Sequence, residues 1–480
     1  MSGQDYISFT EEDLAVFSAA SGDRNPLHLS QEYARSTPYG QPVVFGCMGA
    51  MACLGHLRLP AGSCAKSLEA EFLRPMFVGV KYRVEASEKE GRWEARLFDG
   101  STNAVLVTVT TGVLNKNEPS KEIVAASAFE RGDAAVRQQK DIVRGLTVSG
   151  VYACNAAKLA ILAARWGVAD RLLATVLSWS SYLVGMELPG ESALFFKLVL
   201  HFQEAVRCPD TMAYCASVAY SGFGQVKLDV SLLAGASIVA SGQCWSYIRP
   251  PLPEAEEIDS TGLKPNSLAG RAAVLIGSSR GLGAAMKQAL ELRGAAVYGM
   301  ARSANADDLS RTEVGDAADS GALRRLRERV SREQGRLDFL ICNAFPPLLP
   351  LLLEPNAAER IGAYINLAVS LTLAPLSEFL ELLNRSDGSV VIISSFAAEH
   401  PVREWPHYVA AKRAVEALGS VASLQYPHVR TLIVRPQKLL TSLTNTPMGR
   451  LGAASPGLLA NRIARRLEDP LEPGKTEILY

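Results

Sequence analysis

The stretch Ser21-Gly22-Asp23-Arg24-Asn25-Pro26-Leu27-His28 places a carboxylate and an imidazole five positions apart, around a turn that Pro26 stiffens. A carboxylate and an imidazole that face one point can share a water molecule and move its proton, which is general acid–base chemistry. Asp23 and His28 are therefore candidate catalytic residues. An isolated pair of this kind is more often a turn cap and a surface histidine, so the interpretation depends on the flanking sequence.

The flanking residues extend this turn into a longer pattern. Phe17-Ser18-Ala19-Ala20 precedes it and Leu29-Ser30-Gln31-Glu32-Tyr33-Ala34 follows it. The whole run resembles the signature of MaoC-like (R)-specific enoyl hydratases and dehydratases. The resemblance implies a hotdog fold, and it implies that the N–H of Gly46 polarises the thioester carbonyl. Phe45 stands where this family usually has His, and we interpret it as a packing residue.

The sequence around the turn fits a hotdog domain, in which a curved antiparallel sheet wraps around a central helix. Thr10, with Asp13 three residues later, predicts a helix start. Residues 47–57 are small and apolar, which favours a helix that is buried on several sides. Four strand-like segments follow at residues 67–73, 82–87, 93–97 and 104–113. We predict one hotdog domain over residues 1–115.

A second copy of the pattern is predicted over residues 116–250, after a charged connector at 116–144. Residues 146–154 are similar to the segment that begins at Val43, and residues 188–202 are similar to the segment that ends at Phe72. The offset is 104 positions from Gly46 to Gly150, but 130 from Phe72 to Phe202. This alignment predicts 26 extra residues after the second central helix, at about 165–186. We infer a double hotdog.

The second copy has no counterpart of the Asp–His turn. We expect its role to be structural, closing the acyl tunnel and completing the sheet. The extra segment would either make room for the acyl chain or add core.

A proline-rich, acidic stretch at residues 251–266 has no apolar period and is predicted to be a linker. After it, the apolar strand 272–276 is followed by Gly277-Ser278-Ser279-Arg280-Gly281-Leu282-Gly283, a helical pattern at 284–293 and a second strand at 295–300. A glycine-rich loop between a strand and a helix is typical of a dinucleotide-binding unit. The predicted fold class is an α+β double hotdog followed by an α/β Rossmann domain over residues 267–480.

Three further motifs lie downstream. A strand ends at Asn343-Ala344, another ends at Ser395, and Tyr408 follows Ser395 by 13 positions, with Lys412 four positions later. Together with the glycine spacing they resemble the short-chain dehydrogenase/reductase family. The resemblance implies that Tyr408 donates a proton to a ketone while Ser395 orients its oxygen. It also implies that Lys412 lowers the pKa of Tyr408 and holds the nicotinamide ribose, and that Asn366 anchors a water molecule.

The cofactor is predicted from charge. The acidic residue that would bond a ribose 2′-hydroxyl is expected just after the second strand, where Ala301-Arg302-Ser303 stand instead. Arg302 and Arg280 together can hold a 2′-phosphate, so we predict NADPH. The resemblance adds further cofactor contacts: Gly277, Ser279, Gly281, Leu282, Gly283, Asp316 at the adenine, Asn343, Ala344, Tyr408, Lys412, Pro436 and Thr441.

The reductase-like segment departs from its family at three positions. Ile276 replaces the usual Thr, Phe345 replaces the Gly after Asn343-Ala344, and Gln437 replaces the Gly after Pro436. Phe345 is bulky where the backbone approaches the cofactor. A reductase unit that is inactive, or altered in substrate, is therefore an alternative.

Composition excludes several classes of function. The 480 residues carry 49 basic and 49 acidic side chains, so we expect no nucleic-acid partner. The eight cysteines are scattered and predict reduced core thiols and no metal site. The N-terminal residues lack a signal-peptide pattern, and the most apolar segments, 172–186 and 345–353, are too short or interrupted to span a bilayer. We expect a cytoplasmic protein without a membrane partner.

The two family resemblances imply a bifunctional ketoreductase and dehydratase acting on a 3-oxoacyl thioester. The substrate is expected on acyl carrier protein, with coenzyme A as the other carrier, in a fatty-acid-like or polyketide pathway. A homodimer through the reductase domain is expected. The alternatives are an enoyl-CoA hydratase and 3-hydroxyacyl-CoA dehydrogenase that works oxidatively, and a non-catalytic acyl-binding protein.

Overall fold

The computed structural model describes residues 5–60, 63–113, 132–203, 211–235, 237–251, 264–303 and 310–480. The chain forms two compact units, Met1–Pro251 and Leu252–Tyr480. Their boundary falls within the predicted linker, most of which lies outside the described residues. The same holds for much of the predicted connector at 116–144.

The first half of unit 1 begins with an edge strand and a capped helix. The Thr10 side chain accepts a hydrogen bond from the Asp13 N–H, and the Asp13 carboxylate accepts one from the Thr10 N–H, as the sequence predicts. The elements of this half are β1 (Asp5–Ser8), α1 (Glu11–Ser21), α2 (Pro26–Leu29), α3 (Gln31–Arg35), α4 (Gly46–Leu54), β2 (Ser63–Phe72), β3 (Lys81–Lys89), β4 (Arg92–Asp99) and β5 (Thr102–Val113).

The second half of unit 1 repeats this plan with fewer helices. Its elements are β6 (Thr147–Ala153), α5 (Ala156–Trp166), α6 (Arg171–Tyr182), β7 (Ala193–Phe202), β8 (Thr211–Gly222), β9 (Gln225–Ala234) and β10 (Ser237–Ile248).

Over the described residues, ten strands form one sheet in the order β1-β3-β4-β5-β2-β7-β10-β9-β8-β6. The two halves meet at the antiparallel pair β2–β7, where Leu68 lies opposite Leu200. Each half carries one apolar helix, α4 or α6, inside the curved sheet, and these two helices contact each other. Both halves therefore share one core, which confirms the double hotdog.

The predicted alignment of the two halves was wrong. Residues 146–154 form the edge strand β6, which corresponds to β1, and residues 165–186 contain α6 itself rather than an insertion. From the start of the first helix to the start of the central helix there are 35 positions in the first half (Glu11 to Gly46) but 15 in the second (Ala156 to Arg171). This segment is thus shorter in the second half, which lacks the stretch that carries the Asp–His turn in the first half. Short apolar runs misled the alignment because they do not distinguish strand from helix.

In the described part of unit 2, seven strands form a parallel sheet in the order β13-β12-β11-β14-β15-β16-β17, with helices packed against it. Its apolar strands are buried because helices cover both faces. The elements are β11 (Ala272–Ile276), α7 (Gly281–Glu291), β12 (Ala296–Ala301), β13 (Thr312–Val314), α8 (Ser320–Gln334), β14 (Phe339–Cys342), α9 (Ala358–Arg385), β15 (Ser389–Ile393), α10 (Pro406–Gln425), β16 (Arg430–Val434), α11 (Pro456–Arg466) and β17 (Thr476–Leu479).

Helix α9 and the turn before it form the stretch Pro355–Arg385, which is long and apolar enough to cross a membrane by length and composition alone. Its residues Leu376, Phe379 and Leu383 are buried in the core of unit 2, and 33% of the apolar window as a whole is buried.

Candidate active sites

Asp23 lies directly after the end of α1, where Gly22 adopts a left-handed conformation with φ of 79° and reverses the chain. Its side chain is buried, with 2% of the residue exposed. One carboxylate oxygen accepts the N–H of Asn25 at 3.0 Å, and the other accepts the hydroxyl of Ser181 at 2.7 Å. Burial raises the pKa of Asp23 to about 6, against the opposing effect of these two bonds. A carboxyl that titrates near neutrality is suited to proton exchange.

His28 lies in the short helix α2, which Asn25 caps and Pro26 begins. Its Nδ1 is 2.6 Å from the carbonyl oxygen of Val43. A carbonyl only accepts, so Nδ1 carries the proton in the neutral ring and Nε2 has the free lone pair. Burial lowers the pKa of His28 to about 4, and the charge of Arg249 acts in the same direction. The imidazole is therefore a neutral base above that pH.

Phe45, which contacts His28, directly precedes the central helix α4. The ring of Phe45 stacks on the imidazole of His28, with 3.9 Å between centroids. Helix α4 begins at Gly46 without a capping side chain, so no cap competes with a ligand for the Gly46 N–H, whereas the Met48 N–H donates to the Phe45 carbonyl at 3.1 Å. A Cβ at Gly46 would lie 2.8 Å from the ring of Phe72, which explains the glycine. That Gly46 polarises the thioester remains a prediction.

The half without the motif supplies part of this site. Ser181 belongs to α6, and Gly185 lies in the π-helical turn Leu183–Glu187 that follows. A Cβ at Gly185 would lie 2.7 Å from both carboxylate oxygens of Asp23. The Asn25 side chain donates to the carbonyls of Gly185 and Glu191, at 3.1 and 3.2 Å. The expectation that the second half is only structural therefore missed these contacts.

Arg249, at the end of the second half, holds the helix after the Asp–His turn. Its guanidinium donates to the hydroxyl of Tyr33 at 2.5 Å and to the carbonyl of Glu191 at 3.3 Å. It also lies over the ring of Tyr33, 5.1 Å from the centroid. The serines of α6 and the isolated Arg249 were visible in the sequence as polar residues in apolar segments, but no spacing rule connected them to Asp23.

In unit 2 the glycine loop lies at the carboxyl edge of the sheet. Gly277 and Gly281 have φ of 84° and 54°, which favours glycine, and Gly283 packs against the carbonyl of Gly277. Asn343 donates to that same carbonyl at 2.8 Å. A Cβ at Gly281 would lie 3.3 Å from the Thr441 side chain. Helix α7 begins at Gly281 without a side-chain cap, so its first-turn N–H groups fit the phosphates of a dinucleotide.

Tyr408 brings Ser395 and Lys412 together: it is hydrogen-bonded to Ser395, and its ring centroid lies 5.5 Å from the Lys412 ammonium. Ser395 follows β15, and the other two lie one turn apart on α10. Burial raises the pKa of Tyr408, and a hydrogen bond with Ser395 opposes this only in part. The expected lowering of the Tyr408 pKa by Lys412 is not found. Lys412 is itself 3% exposed, and its burial lowers its own pKa to about 7, opposed by the nearby charge of Glu416.

Phe345 covers Lys412. The Lys412 ammonium lies 3.5 Å from the centroid of the Phe345 ring and donates to the carbonyl of Ile393 at 2.7 Å. The same ring meets Tyr408 edge-on, with centroids 5.5 Å apart. The loop residues therefore fit the phosphate end of a dinucleotide, whereas an aromatic ring lies at the lysine that is predicted to hold the ribose.

Behind this site is a buried ion pair that the sequence reading missed. Arg435 binds both carboxylate oxygens of Glu416 at 2.9 Å, and Ser394 donates to Glu416 at 2.5 Å. The pair ties α10 to the end of β16, next to Pro436. It holds the strand end that is predicted to contact the nicotinamide.

Four further predicted residues lie at the surface: Asn366, Arg280, Arg302 and Asp316. Asn366 is exposed on α9, and its carbonyl accepts the Ser370 hydroxyl at 2.8 Å. Arg280 and Arg302 are exposed, and Arg302 follows β12 directly. Asp316 is exposed and accepts the N–H of Ala318 at 2.8 Å. Their roles toward a cofactor stay predictions, as do those of Ser279, Leu282 and Ala344.

Two family models match the chain, a MaoC like domain over residues 2–112 and a short chain dehydrogenase over residues 271–450. The chain is a MaoC-like domain fused to a short-chain dehydrogenase. This MaoC–reductase fusion thus combines a dehydratase-type domain with an oxidoreductase domain.

Relatives of the fusion match its reductase part. L-xylulose reductase of Mus musculus is 29% identical over 199 residues, which are 39% of this chain and 78% of the relative. A fatty acyl-CoA reductase of Mycobacterium tuberculosis is 26% identical over 227 residues, which are 41% and 76% of the two chains. The solved alcohol dehydrogenase of Thermococcus sibiricus is 24% identical, with a TM-score of 0.39, covering 44% of this chain and 94% of its own.

Proposed function

We propose that the fusion reduces a 3-oxoacyl thioester to the (3R)-hydroxyacyl thioester with NADPH, and then removes water to leave the trans-2-enoyl thioester. The observation that carries the proposal is the environment of Asp23 and of His28, which lie at the two ends of one turn. Burial raises the pKa of the Asp23 carboxyl to about 6, and the neutral imidazole of His28 has its Nδ1 proton held by a carbonyl. A site of this kind can move a proton at neutral pH.

In the dehydration step the ionised Asp23 and neutral His28 act as one proton-transfer unit. The bond between the α-carbon and its hydrogen breaks, and the proton passes to this pair. The same proton then passes to the β-oxygen, whose bond to carbon breaks as water leaves. Electron density moves into the thioester carbonyl, which the N–H of Gly46 stabilises. The pair ends in the state in which it began.

In the reduction step NADPH supplies a hydride to the 3-oxo carbon when it is bound. Tyr408 donates its hydroxyl proton to the oxygen of the substrate, and Ser395 orients that oxygen by a hydrogen bond. In this proposal Lys412 holds the ribose hydroxyls and the first turn of α7 holds the phosphates. Arg280 and Arg302 support the choice of NADPH because both can pair with a 2′-phosphate.

The carrier and the assembly belong to the same proposal. The thioester is carried on acyl carrier protein or on coenzyme A. A homodimer through the reductase unit is supported by apolar side chains on the outer faces of α9 and α10, which are 45–74% exposed: Leu367, Leu373, Val421 and Leu424.

The experiment is incubation of the protein with a 3-oxoacyl carrier thioester and NADPH, followed by mass spectrometry of the acyl group. We expect a gain of two hydrogens and then a loss of water. An unchanged mass contradicts the proposal. A more than tenfold preference for NAD would favour the oxidative alternative.

A second candidate is a dehydratase whose reductase-like unit does not reduce. The position of Phe345 on the Lys412 ammonium favours it. It predicts hydration of a trans-2-enoyl thioester without oxidation of NADPH on any 3-oxoacyl substrate. Hydration with no change in NADPH absorbance would select this candidate.

A further inference from the structure

Three serines of α6 lie in an otherwise apolar, buried helix, and they use their hydroxyls differently. Ser178 and Ser180 donate back into their own helix, to the carbonyls of Ala174 and Leu177, both at 3.0 Å, and the Ser180 hydroxyl also lies 3.7 Å from the neutral Cys47 thiol. Ser181 instead donates out of the helix to the Asp23 carboxylate at 2.7 Å. Ser181 is 6% exposed. A buried serine can donate its hydroxyl proton to a carbonyl of its own helix, as Ser178 and Ser180 do. Ser181 differs from them because it donates to the Asp23 carboxylate.

The described contacts of the Asp23 carboxylate include no charged side chain. From its own turn the N–H of Asn25 faces it, and from the second half Ser181 and the backbone of Gly185 face it. The titratable group nearest to it from α4 is the Cys47 thiol, whose pKa burial raises to about 12, so this thiol stays neutral. Two hydrogen bonds therefore carry the stabilisation of the ionised carboxylate.

We propose that Ser181, contributed by the half that lacks the catalytic motif, is a positioning residue that holds the Asp23 carboxylate in place for proton transfer. The inference rests on the proposed dehydratase function and extends it to the second half of unit 1. The hydroxyl has two effects. It fixes the orientation of the carboxylate, and it favours the ionised form, because a hydrogen bond to a buried charge is stronger than one to a neutral group.

The test is the pH titration of Asp23 in wild type and in Ser181→Ala, by 13C NMR of the labelled carboxyl group, assigned with Asp23→Asn. We expect the pKa of Asp23 to rise by about one unit in Ser181→Ala, as loss of a bond to a charged group implies. The acid limb of the hydratase pH profile should move up by the same amount. Activity at pH 6 should then fall about tenfold relative to pH 8.

The matched control is Ser180→Ala, which removes a hydroxyl from the neighbouring position of the same buried helix. It should leave the Asp23 titration unchanged. Ser181→Thr keeps the donor and should restore the wild-type profile. Ser181→Cys is similar in shape with a weaker donor, so the pKa of Asp23 should lie between those of wild type and Ser181→Ala, and this variant decides the question if Ser181→Ala does not fold.

Two results would overturn the inference: an Asp23 pKa that is the same in Ser181→Ala as in wild type, or one that moves equally in Ser180→Ala. The NMR titration needs no turnover. A wild-type protein that hydrates no enoyl thioester would therefore refute the proposed function, while the titration would still decide whether Ser181 controls Asp23.

Discussion

The two sites of this chain differ in how their motifs are completed. In unit 1 the motif is short, and distant groups complete it: both oxygens of Asp23 and the Nδ1 of His28 have partners, one of them from the second half. In unit 2 the motif is longer, yet Lys412 is covered by Phe345 and burial raises the pKa of Tyr408. A motif therefore identifies the candidate reacting groups, whereas their protonation depends on what packs against them.

The largest effect is expected from Asp23→Asn. The substitution keeps the shape of the side chain but removes the group that exchanges the proton, so hydration should fall by about 10²–10⁴-fold. Absorbance of the enoyl thioester measures it. Reduction of a 3-oxoacyl thioester should continue at the wild-type rate, and equal loss of both activities would show that the two sites are not independent.

Tyr408→Phe should have the opposite selectivity. It removes the proton donor and should lower NADPH oxidation by about 10²–10⁴-fold, while hydration is unchanged. Fluorescence of bound NADPH serves as the control, because the glycine loop and α7 are untouched. A variant that still reduces the substrate at the wild-type rate would remove Tyr408 from the mechanism.

Phe345→Gly tests whether the ring that covers Lys412 weakens cofactor binding in unit 2. A buried cation–π contact contributes about 2 kcal/mol, and removing it frees the Lys412 ammonium for a ribose. We expect NADPH to bind about tenfold more tightly, measured by its fluorescence. Tyr364→Phe, which changes a neighbouring ring in the same cluster (centroids 6.2 Å apart) only by its hydroxyl, should bind as wild type does. Weaker binding in Phe345→Gly would instead make this ring part of the cofactor site.

The smallest effect concerns stability. Burial raises the pKa of Asp23 to about 6, so the folded state holds the carboxyl proton more tightly than the unfolded chain does. The contribution of the protonated carboxyl to the free energy of unfolding is fully present below its unfolded pKa near 4. It is lost as pH rises through 6, and the loss is at most roughly 3 kcal/mol. Asparagine does not ionise, so Asp23→Asn should raise the Tm of unit 1 by a few degrees at pH 8 and leave it unchanged at pH 4.

Asp13→Asn is the control for that experiment. Asp13 is also buried but is paired with Arg165 at 2.7 Å, so its loss should lower the Tm. If the Tm of Asp23→Asn is lower than that of wild type at both pH values, the buried charge of Asp23 does not destabilise the fold at pH 8.

The sequence was sufficient where local chemistry decides the structure. The glycines after β11 predicted a phosphate loop because they lie between an apolar strand and a helical pattern. Thr10 and Asp13 predicted a helix cap because their side chains can each accept the other's backbone N–H. The sequence was insufficient where segments of similar composition form different elements. Residues 146–154 resemble the start of the central helix but contain β6, and the segment predicted to be an insertion contains α6.

The sequence by itself therefore determined the two fold families, the double hotdog and the candidate residues Asp23, His28, Tyr408 and Lys412. Only the tertiary structure placed Ser181, 158 positions from Asp23, against its carboxylate, and Phe345 against Lys412. The reason is physical. Residue type and spacing specify what a side chain can do, but its pKa and orientation depend on burial and on partners that folding brings from distant parts of the chain.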